Sequence, residues 1–116
     1  MYSVHIKDQR KHFSASHFLR FCGDCEQLHG HNYTVDVFIT GPLNEDGMVM
    51  DFNQLKAIIK KEVIDELDHN NLNDIIDNPT AEKILEWIEN RLREKLNLYS
   101  IRLYEGNGKW VQKQYA

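Results

Sequence analysis

The sequence predicts an α+β domain: a four-stranded antiparallel sheet with two helices on one of its faces. Three observations carry this. Apolar and polar residues alternate near both ends of the chain, with the two-residue period of strands. Two central stretches instead repeat their apolar residues every three to four positions, the period of helices. Turn-forming clusters separate these stretches. The resulting order, ββααββ, suits a sheet whose helices cover a single face.

The elements follow in order. Tyr2 to His17 mixes Val4, Ile6, Phe13 and Ala15 with polar partners and reads as a strand. Phe18 to Leu28, with Gly23 and Asp24, reads as a loop. In His31 to Thr40 the residues Tyr33, Val35, Val37 and Ile39 share one face, opposite Asn32, Thr34 and Asp36. Gly41-Pro42 and then Asn44 to Gly47 end that strand. Asp51-Phe52-Asn53-Gln54 has the form of a capping box. Leu55, Ile58, Ile59 and Val63 continue it as a helix to about Leu67. An Asn- and Asp-rich loop, Asp68 to Asn78, leads to Pro79-Thr80, which opens a second helix with the stripe Ile84, Leu85, Ile88, Leu92 and Leu96. Tyr99, Ile101 and Leu103 alternate again. Gly106-Asn107-Gly108 is a hairpin turn, and Trp110 to Tyr115 returns.

With 116 residues the chain is expected to be a single domain, 1–116. It has 14 Lys plus Arg against 18 Asp plus Glu, a net charge of −4. With no dense basic run, nucleic acid is not expected as a partner. No apolar run reaches the roughly 20 residues of a membrane span. The alternating N-terminus does not read as a signal peptide, and two cysteines make no disulfide framework, so the expected location is cytoplasmic.

His29-Gly30-His31 puts two imidazoles two positions apart, on one face of a strand. If the preceding strand pairs with it as a simple hairpin, His17 falls beside His29. Three neutral imidazoles from adjacent strands can hold Zn²⁺ and leave a fourth position open. By itself, His-x-His on a strand is more often two partly exposed histidines. Cys25, four residues before His29, could be a thiolate base or nucleophile if a cation lowered its pKa. Cys22-Gly-Asp-Cys25 could also be half of a zinc site or a redox pair, although no second pair is present. Asp68-His69 suits a proton relay. Glu105, before a Gly-rich turn, could bind an amidine-like ligand edge with two hydrogen bonds, or be an exposed strand-end charge. Thr80 and Glu82 read as a helix cap and a dipole-favoured charge.

Taken together, Phe13-Ser-Ala-Ser-His17, Cys25-Glu-Gln-Leu-His29-Gly-His31-Asn-Tyr33, Met50-Asp-Phe52, Leu67-Asp-His69, Asn73, Asn78-Pro-Thr80-Ala-Glu82 and Glu105 resemble the 6-pyruvoyl-tetrahydropterin synthase family, which includes the 6-carboxy-tetrahydropterin synthases of the queuosine pathway. The resemblance spans nearly the whole chain. It implies the tunnelling fold, in which three subunits close a barrel and two trimers stack as a homo-hexamer with active sites between subunits. It implies His17, His29 and His31 as zinc ligands and Cys25, Asp68 and His69 as the catalytic set. Glu105 is implied as the pterin anchor, with Thr80 and Glu82 near the pterin pocket, and Glu26 is counted with these substrate-binding residues. The implied substrate is 7,8-dihydroneopterin triphosphate.

The Cys-x-x-x-His spacing resembles the 6-carboxy-tetrahydropterin branch more than the animal 6-pyruvoyl branch. Glu26 also creates Glu-x-x-His-Gly-His, resembling the branch that cleaves dihydroneopterin-type substrates to 6-hydroxymethyl-dihydropterin for folate. Neighbours in an extended loop point to opposite sides, so Cys25 and Glu26 are not expected to face the zinc together. Tyr104-Glu-Gly-Asn lacks the Thr that often follows the anchor. Expected activities are therefore a zinc-dependent lyase, foremost 6-carboxy-5,6,7,8-tetrahydropterin synthase. The alternatives are the 6-pyruvoyl or 6-hydroxymethyl product, or a non-catalytic pterin-binding protein of the same fold.

Overall fold

The computed structural model describes residues 2–5, 12–20 and 23–115. The first expected strand is two strands, β1 (Tyr2–His5) and β2 (His12–His17), and Ile6 lies outside the described residues. Both pair antiparallel with the long strand β3 (His29–Gly41): β1 along its far half, Phe38 to Gly41, and β2 along its near half, His29 to Thr34. They thus share one lateral position. β4 (Leu98–Glu105) lies on the other side of β3, and β5 (Trp110–Gln114) pairs with β4. The sheet therefore has the four lateral positions expected, with the first one divided. In the last hairpin Gly106 and Gly108 hold φ of 67° and 79°, values an L side chain resists.

The first helix begins at α1 (Phe52–Ile59), where Asp51 caps by accepting from the Asn53 amide at 2.6 Å. That is one residue earlier than a capping box reaches. The helix widens to π-helical turns over Lys60–Ile64 and closes with one α turn, Asp65–Leu67. The second helix, α2 (Ala81–Leu92), starts as expected: Thr80 Oγ1 accepts from the Lys83 amide at 3.2 Å. It ends before Leu96, which is still buried in the turn that follows.

Both helices lie on the sheet face that carries Phe13, Tyr33, Val35, Val37, Ile101 and Leu103, all fully buried. Leu55, Ile59, Val63 and Leu67 meet them from the first helix, and Ile84, Ile88 and Leu92 from α2. At about 1.5–3 kcal/mol for each buried aliphatic side chain, this layer outweighs any single ion pair. Among the described residues, no helix is long and apolar enough to cross a membrane.

Candidate functional site

The antiparallel register sets the site at the end of the core. His17 pairs with His29, Ala15 with His31 and Phe13 with Tyr33. The core face thus continues from Phe13 and Tyr33, whose rings stack at 4.9 Å, into a cluster of three imidazoles. One ligand-capable atom from each of His17, His29 and His31 lies within 4.8 Å of the others. β3 starts at His29, two residues earlier than the sequence suggested, and this is what brings His29 into the two-residue period.

The tautomers follow from the partners. His17 Nδ1 is 2.9 Å from the Pro79 carbonyl oxygen, and His29 Nδ1 is 2.7 Å from that of Gln27. A carbonyl only accepts, so both Nδ1 atoms carry the proton. The two Nε2 atoms then turn lone pairs toward each other at 3.0 Å. Two ring nitrogens so close need a proton or a metal ion between them, and a tetrahedral metal at Zn–N of 2.0–2.1 Å separates its ligand nitrogens by about 3.4 Å. Nε2 of His31 is shut off from solvent without a well-aligned hydrogen bond. The nearest carboxylate, Glu105 Oε1, is 3.3 Å from it. Burial lowers the His31 pKa, His17 and His29 push the same way, and Glu105 opposes them. The neutral form that ligates a metal is therefore favoured. Three such nitrogens, two with fixed tautomers and one orphaned, fit a divalent metal ion.

Glu105 is the last residue of β4 and pairs with Tyr33, which keeps it on the histidine face. The buried Tyr33 hydroxyl lies 3.3 Å from His17 Nδ1. Burial, and secondarily Glu105, raise its pKa, so it stays protonated.

Asp68 and His69 follow the first helix and run along the free edge of β2. The His69 amide donates to the Ser14 carbonyl at 2.7 Å, and the Ser16 amide donates to the Asn70 carbonyl at 3.1 Å. Asp68 Oδ1 accepts from the Ser14 amide at 2.9 Å, and Oδ2 lies 2.9 Å from His69 Nδ1. Burial works against the Asp68 carboxylate, but the Ser14 amide and the His69 ring outweigh it, and its pKa falls. An ionised Asp68 accepts only, so His69 keeps its proton on Nδ1 and presents Nε2 outward. His69 lines a hollow of about 440 Å³ with Ser14, Ala15, Ser16, Gly30, His31 and Asn32. By strand alternation Ser14, Ser16 and Asn32 turn their side chains to the sheet face opposite the three histidines. His31 borders the same hollow as the relay, at the edge of β2.

The other sequence candidates scatter. Cys25 belongs to a 3₁₀ turn, Gly23–Glu26, and not to an extended loop. The Cys25 side chain and all of Cys22 lie outside the described residues. Glu26 is exposed and borders a hollow with Phe18, Leu19 and Arg20. Thr80 is occupied as a helix cap beside Pro79. Glu82 lines a separate groove between α2 and β5, with Leu85, Val111 and Lys113. Sequence reasoning missed the groups that hold the imidazoles, because the Pro79 and Gln27 carbonyls are backbone atoms without a residue signature. Asn73 did carry a signal: its amide grips both the NH and the carbonyl of Phe18, at 2.8 and 3.0 Å.

An antiparallel sheet backed by two helices, with a metal-capable histidine cluster at one end of the covered face, defines a small class of α+β proteins. The family model for 6-pyruvoyl tetrahydropterin synthase matches residues 6–115, and the chain belongs to that family. A relative from Archaeoglobus fulgidus, provisionally named a 6-carboxy-5,6,7,8-tetrahydropterin synthase, is 44% identical over 86% of this chain and 87% of its own length. A Pyrococcus furiosus relative named dihydroneopterin monophosphate aldolase is 40% identical over 91% of this chain and 94% of its own. The fold is that of the Caenorhabditis elegans 6-pyruvoyl tetrahydropterin synthase, with a TM-score of 0.84 at 24% identity, covering 99% of this chain and 96% of the other.

Proposed function

We propose that the chain, as a single pterin synthase domain over 1–116, is a zinc-dependent lyase acting on 7,8-dihydroneopterin triphosphate. The activity best supported is that of 6-carboxy-5,6,7,8-tetrahydropterin synthase, in the queuosine precursor pathway. The carrying observation is the pair of His17 and His29 lone pairs fixed 3.0 Å apart beside an orphaned His31 nitrogen. Cys25, in the spacing of that branch, and the relative from Archaeoglobus fulgidus add support.

His17, His29 and His31 would hold the ion. Zinc there supplies Lewis acidity, which makes the hydroxyls of the substrate side chain easier to deprotonate. The Cys25 thiolate would take a proton from the side-chain carbon. His69, held with its proton on Nδ1 by Asp68, would accept or return protons at Nε2. Glu105 would anchor the pterin amidine edge by two hydrogen bonds, with Thr80, Glu82 and Glu26 as further substrate-side groups. His69 is 84% exposed in a single copy, which suits a site completed by another subunit of a homo-hexamer built as a dimer of trimers.

A second reading, cleavage to 6-hydroxymethyl-dihydropterin, is favoured by Glu26 in Glu-x-x-His-Gly-His and by the Pyrococcus furiosus relative. The deciding experiment incubates the zinc-loaded protein with 7,8-dihydroneopterin triphosphate and identifies products by mass spectrometry. A 6-carboxy product with released triphosphate is expected, whereas a sole 6-hydroxymethyl product would move the assignment to the second reading. In His31→Ala most of the bound zinc should be gone by metal analysis, and full occupancy in that variant would remove the centre from the proposal.

A further inference from the structure

The Asn78-Pro79-Thr80 run has an unusual backbone, and the role proposed above uses only its threonine. Asn78 has φ of 46°, in the left-handed region that side chains other than Gly, Asn and Asp avoid. It also precedes a proline, a position that favours extended backbone. Two local preferences are therefore overridden at one residue, and such positions concentrate where geometry matters to function. The Thr80 amide donates to the Asn78 carbonyl at 2.8 Å, which closes a three-residue turn with Pro79 at its centre. The Pro79 carbonyl is left out of that hydrogen bond and meets His17 Nδ1 at 2.9 Å. His17 itself is fully buried.

The Asn78 side chain fixes the same corner from the other side. Its Oδ1 accepts from the Arg20 amide at 2.8 Å, and the Arg20 guanidinium sits on Asp77 at 3.1 Å. Arg20 leads directly into the segment that carries Cys25 and Glu26. One residue thus touches both the support of His17 and the entry to the cysteine loop.

We infer that Asn78 is a positioning residue for the three-histidine centre: its left-handed backbone aims the Pro79 carbonyl at His17 Nδ1, and that hydrogen bond keeps the His17 Nε2 lone pair turned toward His29. The inference rests on reading the cluster as a metal centre and adds a residue outside the ligand set. Groups that orient a metal-bound histidine typically change metal affinity by about 10–100-fold when lost. A residue needed only for folding would lower the melting temperature and leave the affinity of the folded protein unmoved.

The test is zinc affinity by chelator competition on the full chain, with the metal-free melting temperature and the His17 tautomer by ¹⁵N NMR as companion readouts. Asn78→Asp tolerates a positive φ and keeps an acceptor for Arg20, so it should bind zinc within about twofold of the parent. Asn78→Ala should weaken zinc by about 10–100-fold, and its metal-free His17 should show a mixture of tautomers. Asn78→Gly keeps the backbone option and loses the side-chain tie, so a loss of about 3–10-fold is expected. If Asn78→Ala does not fold, Asn78→Gly decides. Folded variants with parental zinc affinity and a pure Nδ1–H tautomer at His17 would overturn the inference. If the parent itself bound no zinc, the metal reading would fall, which is a separate outcome.

Discussion

His17 and His29 owe their orientation to two backbone carbonyls, those of Pro79 and Gln27, which hold the Nδ1 atoms, the ring nitrogens turned away from the centre. Cys25 and Glu26 present the sharpest contrast between adjacent residues. A thiol beside a bound cation is populated as the thiolate at neutral pH, and the thiolate is the stronger nucleophile. Cys25→Ala should therefore lower formation of the 6-carboxy product by about 10²–10⁴-fold, the range of a general acid–base group. Its zinc content should stay intact. Glu26→Ala should spare that reaction and remove any 6-hydroxymethyl side product. Steady-state assays with product analysis check both, and the reverse pattern would assign the base to Glu26. Much at this scale was readable from spacing: the two-residue interval of His29 and His31 sets their common face, and the hairpin register sets His17 opposite His29. What spacing could not carry was which nitrogen of each ring is free, because main-chain oxygens decide that.

The elements show where periodicity is an incomplete guide. Leu55, Ile58, Ile59 and Val63 announced a helix to Leu67, but not its π-helical turns over Lys60–Ile64. Widening there buries both Val63 and Ile64, and the Glu62 carbonyl accepts from Arg91 Nε of α2 at 3.3 Å. One extra residue in a turn scarcely changes the apolar pattern, so the sequence hides it. The division of the first strand does leave a trace in the sequence: the inward residues are even-numbered in β1 (Val4, opposite Ile39) and odd-numbered in β2 (Phe13 and Ala15), a break of phase that a single regular strand would not have. Between α2 and β5 a buried carboxylate, Glu89, closes the sheet onto the helix. It accepts from Tyr115 Oη and Lys113 Nζ, and lies 3.3 Å from Arg93 Nη2. Burial opposes its ionisation, yet the Tyr115 and Lys113 hydrogen bonds prevail and lower its pKa below the ordinary 4.5. Its stabilising contribution is therefore complete above that value and fades as pH falls through the lower, folded value. Glu89→Gln should cost about 1–3 kcal/mol in urea unfolding at neutral pH. Lys113 and Arg93 are half exposed and can turn to water, which keeps the cost below that of a fully buried pair. The difference should shrink as pH falls below 4.5, and a constant gap would show that packing, not charge, sets the effect.

The whole molecule is longer than its core requires. Its extents are 52 × 26 × 25 Å, and its radius of gyration of 14.9 Å exceeds the roughly 13.4 Å expected for a compact chain of this length. Among the described residues, β1 and β5 end the sheet without a further strand. The face away from the helices carries Asn32, Thr34, Arg102, Tyr104, Trp110 and Gln112, and among the described residues no second layer covers these polar and aromatic groups. Unpaired edges are a liability that closure into a ring removes. Light scattering should accordingly give six times 13.7 kDa, about 82 kDa. A stronger test asks whether one active site draws His31 and His69 from different copies, as the shared site proposed above implies. His31→Ala and His69→Ala should each be nearly inactive alone. Mixed by co-expression in equal amounts, half the copies offer an intact histidine cluster and half of their neighbours offer an intact His69. About a quarter of the parental activity per chain should then return, a fraction that follows from random assembly of closed oligomers. Mixtures as inactive as the separate variants would mean that one chain supplies both groups, and the relay would have to reach the metal centre around the edge of β2.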